Sequence, residues 1–235
     1  MNARRIKVNP NISKIASLIS DPTRSSILLS LMDGRIHPAS ELAYTAKVKP
    51  QTASFHLQKM LEANLVSVER HGRHRYYKLT SSDVAKVIEQ MLIISPNSPV
   101  TSLRDSREKS AIHFARTCYD HLAGYIGVQI TNSLIEQGFI KKIDMNYEVT
   151  SEGFQFFQEF GIDLEEQKKK RRAYARCCLD WSEREHHIAG ALGNALLLKM
   201  LELNWITRMP KIRAVKVTPS GKVELQKHFK MQLWR

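Results

Sequence analysis

The sequence predicts an α+β protein, mostly α, in which a helical unit closed by a basic hairpin precedes a second part that repeats itself. Three observations carry this reading. Apolar residues recur at helical spacing through the first 94 positions, two short β-type runs meet across His71-Gly72-Arg73, and four blocks of the second half return in the same order. A chain of 235 residues has room for two modest domains. The break falls at Ser95-Pro96-Asn97-Ser98-Pro99, where two prolines stop any helix. The expected organisation is therefore a domain over 1–94, a linker over 95–102 and a domain over 103–235.

In the first part, Ile12, Ile15, Ala16 and Ile19 mark a first helix. Asp21 is an N-cap and Pro22 a first-turn residue for a second helix carrying Ile27, Leu28 and Leu31, which Asp33-Gly34 ends. Pro38 and Glu41-Leu42-Ala43 open a short third helix, and Ala46-Lys47-Val48-Lys49 makes a turn. Pro50 starts a longer helix to about Ala63, with Asn64 suited to a left-handed cap. Val66-Ser67-Val68 and Tyr76-Tyr77-Lys78-Leu79 form a hairpin. Thr80, Ser81 and Ser82 before Asp83 cap a last helix, with Val84, Val87, Ile88, Met91 and Leu92 as one apolar stripe.

The second part is a duplication, about 111–165 and 171–231. Ala115-Arg116-Thr117-Cys118-Tyr119-Asp120 returns as Ala175-Arg176-Cys177-Cys178-Leu179-Asp180, and His121 to Gly127 as His187 to Gly193. Glu136 to Ile140 matches Glu202 to Ile206, and Val149-Thr150 with Gly153 matches Val217-Thr218 with Gly221. Each copy reads as helices, a short hairpin and a capped helix, a winged-helix-like order. Between the copies, Lys168-Lys169-Lys170-Arg171-Arg172 reads as a solvated helix face.

Charge narrows the function. The balance of 36 Lys+Arg against 23 Asp+Glu leaves +13, a field that favours polyanions, nucleic acid first. No run approaches the ~18 apolar residues of a membrane span, so no membrane partner is expected. The first residues, MNARRIKVNP, lead into no cleavable apolar core, so no signal peptide is expected. Three cysteines suit a reducing cytoplasm better than a disulfide scaffold.

On the helix opening at Pro50, Ala53, Leu57, Met60 and Leu61 fall on one side and face a core. Gln51 and Phe55 point outward near its start, with Thr52 at the edge. A groove-reading helix contacts base edges at this point: Gln bonds adenine bidentately, and Thr or Phe packs on a thymine methyl. Lys49, Ser54, His56 and Lys59 are expected to touch phosphates. The hairpin tip adds Arg70, His71, Arg73, His74 and Arg75 around Gly72, opposed only by Glu69, the charge a wing needs against a DNA backbone. The expected fold of the first part is a winged helix-turn-helix.

The chain resembles the ArsR-type (ArsR/SmtB-like) winged-helix regulators over about residues 12–94. The resemblance lies in Asp21-Pro22-Thr23-Arg24, Glu41-Leu42-Ala43, Thr52-Ala53-Ser54-Phe55-His56-Leu57, Glu62-Ala63-Asn64-Leu65-Val66 and the wing Gly72-Arg73…Tyr76-Tyr77 with Leu79. It implies a homodimer paired through the first and last helices, binding an inverted repeat of double-stranded operator DNA and released by an effector. The second part is similar to an extension of longer members of that family. This sequence departs from the family's metal sensors. Ala43, Tyr44 and Thr45 stand where they place a thiol pair, the helix over 83–94 has no His, and Lys49 replaces a small capping hydroxyl ahead of an unusual Pro50.

The effector, a small molecule or a metal, is not specified by these motifs, and DNA binding requires no cofactor. Cys118, His121, Cys178 and His187 form two related sets of soft and borderline ligands. If the repeats pack about a pseudo-twofold axis these four converge in a set that suits zinc; otherwise the cysteines are small core residues. Trp181, beside Asp180, Ser182, Glu183 and Arg184, marks either a pocket or an ion-pair cluster. Gly124, Gly127, Gly190 and Gly193 read as close helix packing. No phosphate loop, nucleophile elbow or His-Glu-x-x-His is present, and no third group completes a Cys–His nucleophile pair, so no enzyme is expected. The sequence thus predicts a cytoplasmic, dimeric, DNA-binding repressor. Two alternatives stand beside it: a metal- or thiol-responsive sensor using the repeat Cys/His residues, and a winged-helix adaptor that binds protein.

Overall fold

The computed structural model describes residues 10–96 and 99–231. Residues 1–9, two residues of the expected linker (Asn97 and Ser98) and the last four residues lie outside the described residues. The chain divides into two compact units, one built from residues up to Leu31 with Arg35–Ala85, the other from Met32–Gly34 with Lys86–Arg235.

The first unit opens with α1 (Ile12–Ile19) and α2 (Pro22–Ser30). Asp21 caps α2 by accepting from the Arg24 amide, with Pro22 in the first turn. After a short strand β1 (His37–Pro38) come α3 (Ala39–Thr45) and α4 (Pro50–Glu62). The turn between them is made possible by Lys47, whose φ of 55° reverses the chain. Asn64 (φ 58°) ends α4 as expected of a left-handed cap. The hairpin of β2 (Val66–His71) and β3 (His74–Leu79) pairs from Val66 with Leu79 to His71 with His74, around a turn where Gly72 has φ 61°. Strand β1 adds to the far edge of β3, giving the order β1-β3-β2. Ile27, Leu28, Leu42, Leu57, Met60 and Leu79 are fully or almost fully buried at the centre of this unit. The faces read from the 3.6 period hold for α4: Ala53, Leu57 and Met60 are inward, Gln51, Thr52 and Phe55 outward.

Helix α5 (Ser82–Ile94) departs from expectation in two ways. The division between the units falls inside it, at Ala85, whereas the sequence placed it at the prolines beyond. The reason is a buried ion pair within the second unit, Arg213 Nη1 to Glu89 Oε1 at 2.7 Å, which anchors the later turns of the helix there. Nor is the apolar stripe uniformly inward: Ile88 is buried but Val87 and Met91 are exposed.

The second unit continues with α6 (Leu103–Phe114), β4 (Arg116–Cys118), β5 (His121–Ala123), α7 (Gly124–Glu136), β6 (Ile140–Ile143), β7 (Asn146–Val149), α8 (Ser151–Glu159) and α9 (Leu164–Lys169). Then follow β8 (Arg176–Leu179), β9 (His186–Ala189), α10 (Gly190–Glu202), β10 (Ile206–Arg208), β11 (Val215–Val217) and α11 (Pro219–Phe229). The same order appears twice: hairpin, helix, hairpin, helix. Its helix–hairpin–helix portion is the winged-helix-like unit read from the sequence. The blocks ahead of it, Ala115 to Asp120 and Ala175 to Asp180, were expected in helices and instead form β-hairpins, because their runs of Arg, Thr, Cys and Ala pair with the strands that follow.

The copies match in detail. Thr150 and Thr218 cap α8 and α11 by accepting from the Gly153 and Gly221 amides at 3.0 and 2.9 Å. At Gly153 and Gly221 a Cβ would lie only 1.9 Å from the Phe139 and Trp205 carbonyl oxygens, so both positions exclude any side chain. β7 and β8 meet at Asn146–Arg176, joining hairpins of both copies into one sheet of order β6-β7-β8-β9. One apolar core, including Ile126, Phe157, Leu192, Met200 and Phe229, runs through both.

Candidate functional site

The outward face of α4 is arranged as the sequence required. Gln51, Thr52, Ser54 and Phe55 are exposed, and Phe55 keeps 57% of its surface in water, an unfavourable place for a bare aromatic ring. Lys59 Nζ sits 4.3 Å from the Phe55 ring centroid, a cation–π contact. Lys49 is exposed at the N-cap and its side chain makes no capping hydrogen bond, so the first-turn amides of α4 lack an N-cap partner. Those amides and the helix dipole favour an anion at this end. Ser54 donates to the Pro50 carbonyl at 2.9 Å, which turns its hydroxyl back along the helix.

His56 is the exception. It was expected at a phosphate, but it is buried, with Nδ1 3.3 Å from Arg24 Nη1 and 3.7 Å from Asp21 Oδ1. One residue beyond Phe55, the ring has turned past the outward face and packs under the helix. Arg24 itself reaches the Ser17 and Leu18 carbonyls at 2.9 and 2.6 Å, so His56 belongs to the ties that join α1, α2 and α4. Asp21-x-x-Arg24 carried the signal for this cluster, but it reads from sequence only as a cap.

On the wing, Arg70, Arg73, His74 and Arg75 are all exposed, and Arg70 lies directly opposite Arg75 in the hairpin register. Like charges facing across strands are destabilising. Among the described residues none of these arginines forms a salt bridge, because Glu69 is engaged by Lys78 and His71. The tip is therefore a concentrated positive charge without an internal counter-ion.

In the second unit, the four sulfur and imidazole residues named by the sequence do come together. Cys118 pairs with His121 across β4–β5, and Cys178 pairs with His187 across β8–β9. The two sulfurs are 3.8 Å apart, the two imidazole centroids 5.1 Å, and one donor atom from each residue lies within 4.8 Å of the others. Cys177, the third cysteine, points elsewhere, toward the Asn146 carbonyl. The Cys118 thiol holds Cys178 low by hydrogen bonding, both imidazoles assisting, and Cys118 is raised in turn. Burial works against the charged form of His121, yet Asp120 and Cys178 outweigh it and push the ring up to about 9.

Behind this cluster, Asp180 is fully buried and bound by Arg116 at 2.7 Å, by the Gly124 amide at 2.7 Å and by the Ser182 amide at 2.9 Å. Against the opposing effect of burial, His187 and Arg116 hold its carboxyl well below the usual carboxylate range. Arg116 lies under Trp181, 4.3 Å from its ring. The Trp181 constellation is thus an ion-pair cluster. The sequence did not reveal Arg116 as its centre, since the equivalent Arg176 is only half-buried.

Comparison with known proteins decides the family. Residues 19–69 match a family model described as a helix-turn-helix domain. The HTH-type transcriptional regulator YdfF of Bacillus subtilis (strain 168) is 68% identical over 226 residues, covering 96% of this chain and 100% of the relative. The chain belongs to the HTH-type transcriptional regulators. Among solved structures, this regulator is similar to NolR from Sinorhizobium fredii, at 28% identity over 37% of this chain and 86% of that one, TM-score 0.34. It is also similar to the cadmium metal-sensor CMTR from Mycobacterium tuberculosis, at 26% identity over 39% and 99%, TM-score 0.31. Among the described residues no helix is long and apolar enough to cross a membrane.

Proposed function

We propose that this regulator represses transcription by binding an inverted repeat of operator DNA as a homodimer in the cytoplasm, with α4 in the major groove and the β2–β3 wing on the neighbouring backbone. The observation that carries the reading is the outward set Gln51, Thr52 and Phe55 at the open start of α4. These offer a bidentate amide and two methyl-packing groups where a recognition helix meets base edges. Lys49, Lys59, Arg70, Arg73, His74 and Arg75 supply the phosphate contacts. A protein-binding adaptor has no use for unpaired arginines facing one another at Arg70 and Arg75. Dimerisation is supported by α1, an apolar helix with no buried residue whose Ile12 is 81% exposed; a second copy would cover it.

Selection of bound sequences from a random DNA pool with the full chain tests this reading. The expected product is a palindrome whose half-sites are about one helical turn apart. Enrichment of no sequence, or of a single unrepeated site, overturns the groove assignment or the dimer respectively.

A further inference from the structure

We propose that Cys118, His121, Cys178 and His187 form a closed tetrahedral site for a thiophilic divalent cation of the zinc class, which locks the two repeats of the second unit together. The sites already assigned lie in the first unit; this one is separate from them.

The strand register supplies the first argument. In sequence Cys118 and His121 are three apart, whereas Cys178 and His187 are nine apart, so the two sets look unlike. In the fold both are directly opposed cross-strand pairs, Cys118 with His121 as the last pair of its hairpin and Cys178 with His187 as the last but one, and the longer connection in the second copy is absorbed by the Asp180–Glu185 loop. Side chains so opposed project from one face about 5 Å apart. The packing is reciprocal: a Cβ at Gly127 of α7 would meet His187 Cβ at 3.9 Å, and one at Gly193 of α10 would meet His121 Cβ at 3.3 Å. Each copy presents one sulfur and one imidazole to the same point.

Dimensions supply the second argument. Tetrahedral zinc, with Zn–S near 2.3 Å and Zn–N near 2.0–2.1 Å, sets its donors about 3.4–3.8 Å apart. The sulfurs already stand at 3.8 Å, and the widest donor separation, 4.8 Å, closes by about 1 Å on ligation. Two sulfurs and two nitrogens in a tetrahedron select zinc over harder cations.

The third argument comes from the orphaned nitrogens. His121 and His187 are 7% and 1% exposed, yet Nε2 of each has no hydrogen-bond partner. Leaving such a group unsatisfied is costly, and its presence requires an explanation. On the other side of each ring an aspartate faces Nδ1: Asp120 hydrogen-bonds it at 3.2 Å in His121, while in His187 Asp180 stands 3.4 Å away as an ion-pair partner and Nδ1 makes no hydrogen bond. A carboxylate behind Nδ1 with Nε2 free toward the ligand is the supporting arrangement of metal-bound histidines. A disulfide between Cys118 and Cys178 would use two of the four donors and leave both Nε2 atoms orphaned.

The test uses the full-length protein purified with reductant and without chelator. Elemental analysis should find about one zinc per chain. Cobalt(II) added to metal-free protein should give the visible bands of a tetrahedral ion and a near-ultraviolet thiolate charge-transfer band. Cys118→Ser should lose both metal and bands, whereas Cys177→Ser should keep them. His121→Cys covers the chance that a ligand variant fails to fold: it should retain the ion and strengthen the charge-transfer band, which a merely structural role would not do. Sub-stoichiometric zinc with no cobalt bands, loss of metal in Cys177→Ser equal to that in Cys118→Ser, or a Cys118–Cys178 disulfide in metal-free protein from a parallel preparation with thiols blocked at lysis and no reductant each overturns the proposal.

Discussion

Arg24 and His56 meet beneath the candidate recognition helix, Nη1 to Nδ1 at 3.3 Å, in the interior of the first unit. A guanidinium only donates, so the hydrogen bond between them has Nδ1 as its acceptor. His56→Ala leaves Arg24 without this partner and should lower stability by about 1–3 kcal/mol in a denaturant titration. The salt dependence of operator binding should not change. An unaltered stability with a salt slope reduced by about one would return His56 to the phosphate contacts.

Gln51 differs from His56 in pointing outward from the same helix. Gln51→Ala should leave the melting temperature in place and lose discrimination at one operator base pair, worth about 1–3 kcal/mol. Competition binding with operators substituted one position at a time measures this. Equal losses at every position would mean that Gln51 does not read a base.

Arg73 sits at the wing tip beside the opposed Arg70 and Arg75. Arg73→Ala should weaken binding to all sequences alike and reduce the slope of log affinity against log salt by about one. Relief of like-charge repulsion should leave stability unchanged or slightly raised. A sequence-dependent loss would place the residue in base readout instead.

Gly221 and Gly138 give a contrast in the repeats. A Cβ at Gly221 would stand 1.9 Å from the Trp205 carbonyl oxygen, whereas one at Gly138 (φ 74°) meets nothing within 4 Å. Gly138→Ala should cost only the left-handed backbone penalty, about 1–2 kcal/mol. Gly221→Ala should cost more than about 3 kcal/mol, because α11 must move away from its hairpin. Urea titration of the two variants compares them directly; equal losses would show that the helix yields freely.

Local chemistry wrote much of this molecule into its sequence. Asp21-Pro22, Pro50, Asn64 and the Gly72 turn act on their own neighbours, so the helices, the hairpin and the outward Gln51, Thr52 and Phe55 follow from cap preferences and the 3.6 period alone. The duplication was equally legible, since repeated backbone demands at Gly153 and Gly221 need the same residue twice. Long-range contact decided the rest. The 3.6 period already sets His56 on the side of Ala53, Leu57 and Met60; that a polar ring is tolerated there depended on Arg24, thirty-two positions away, which no local pattern reveals. The hairpins at Cys118 and Cys178 took their partners from later strands. Their sulfurs meet only because two copies pack reciprocally, a relation between surfaces that spacing along one chain does not encode.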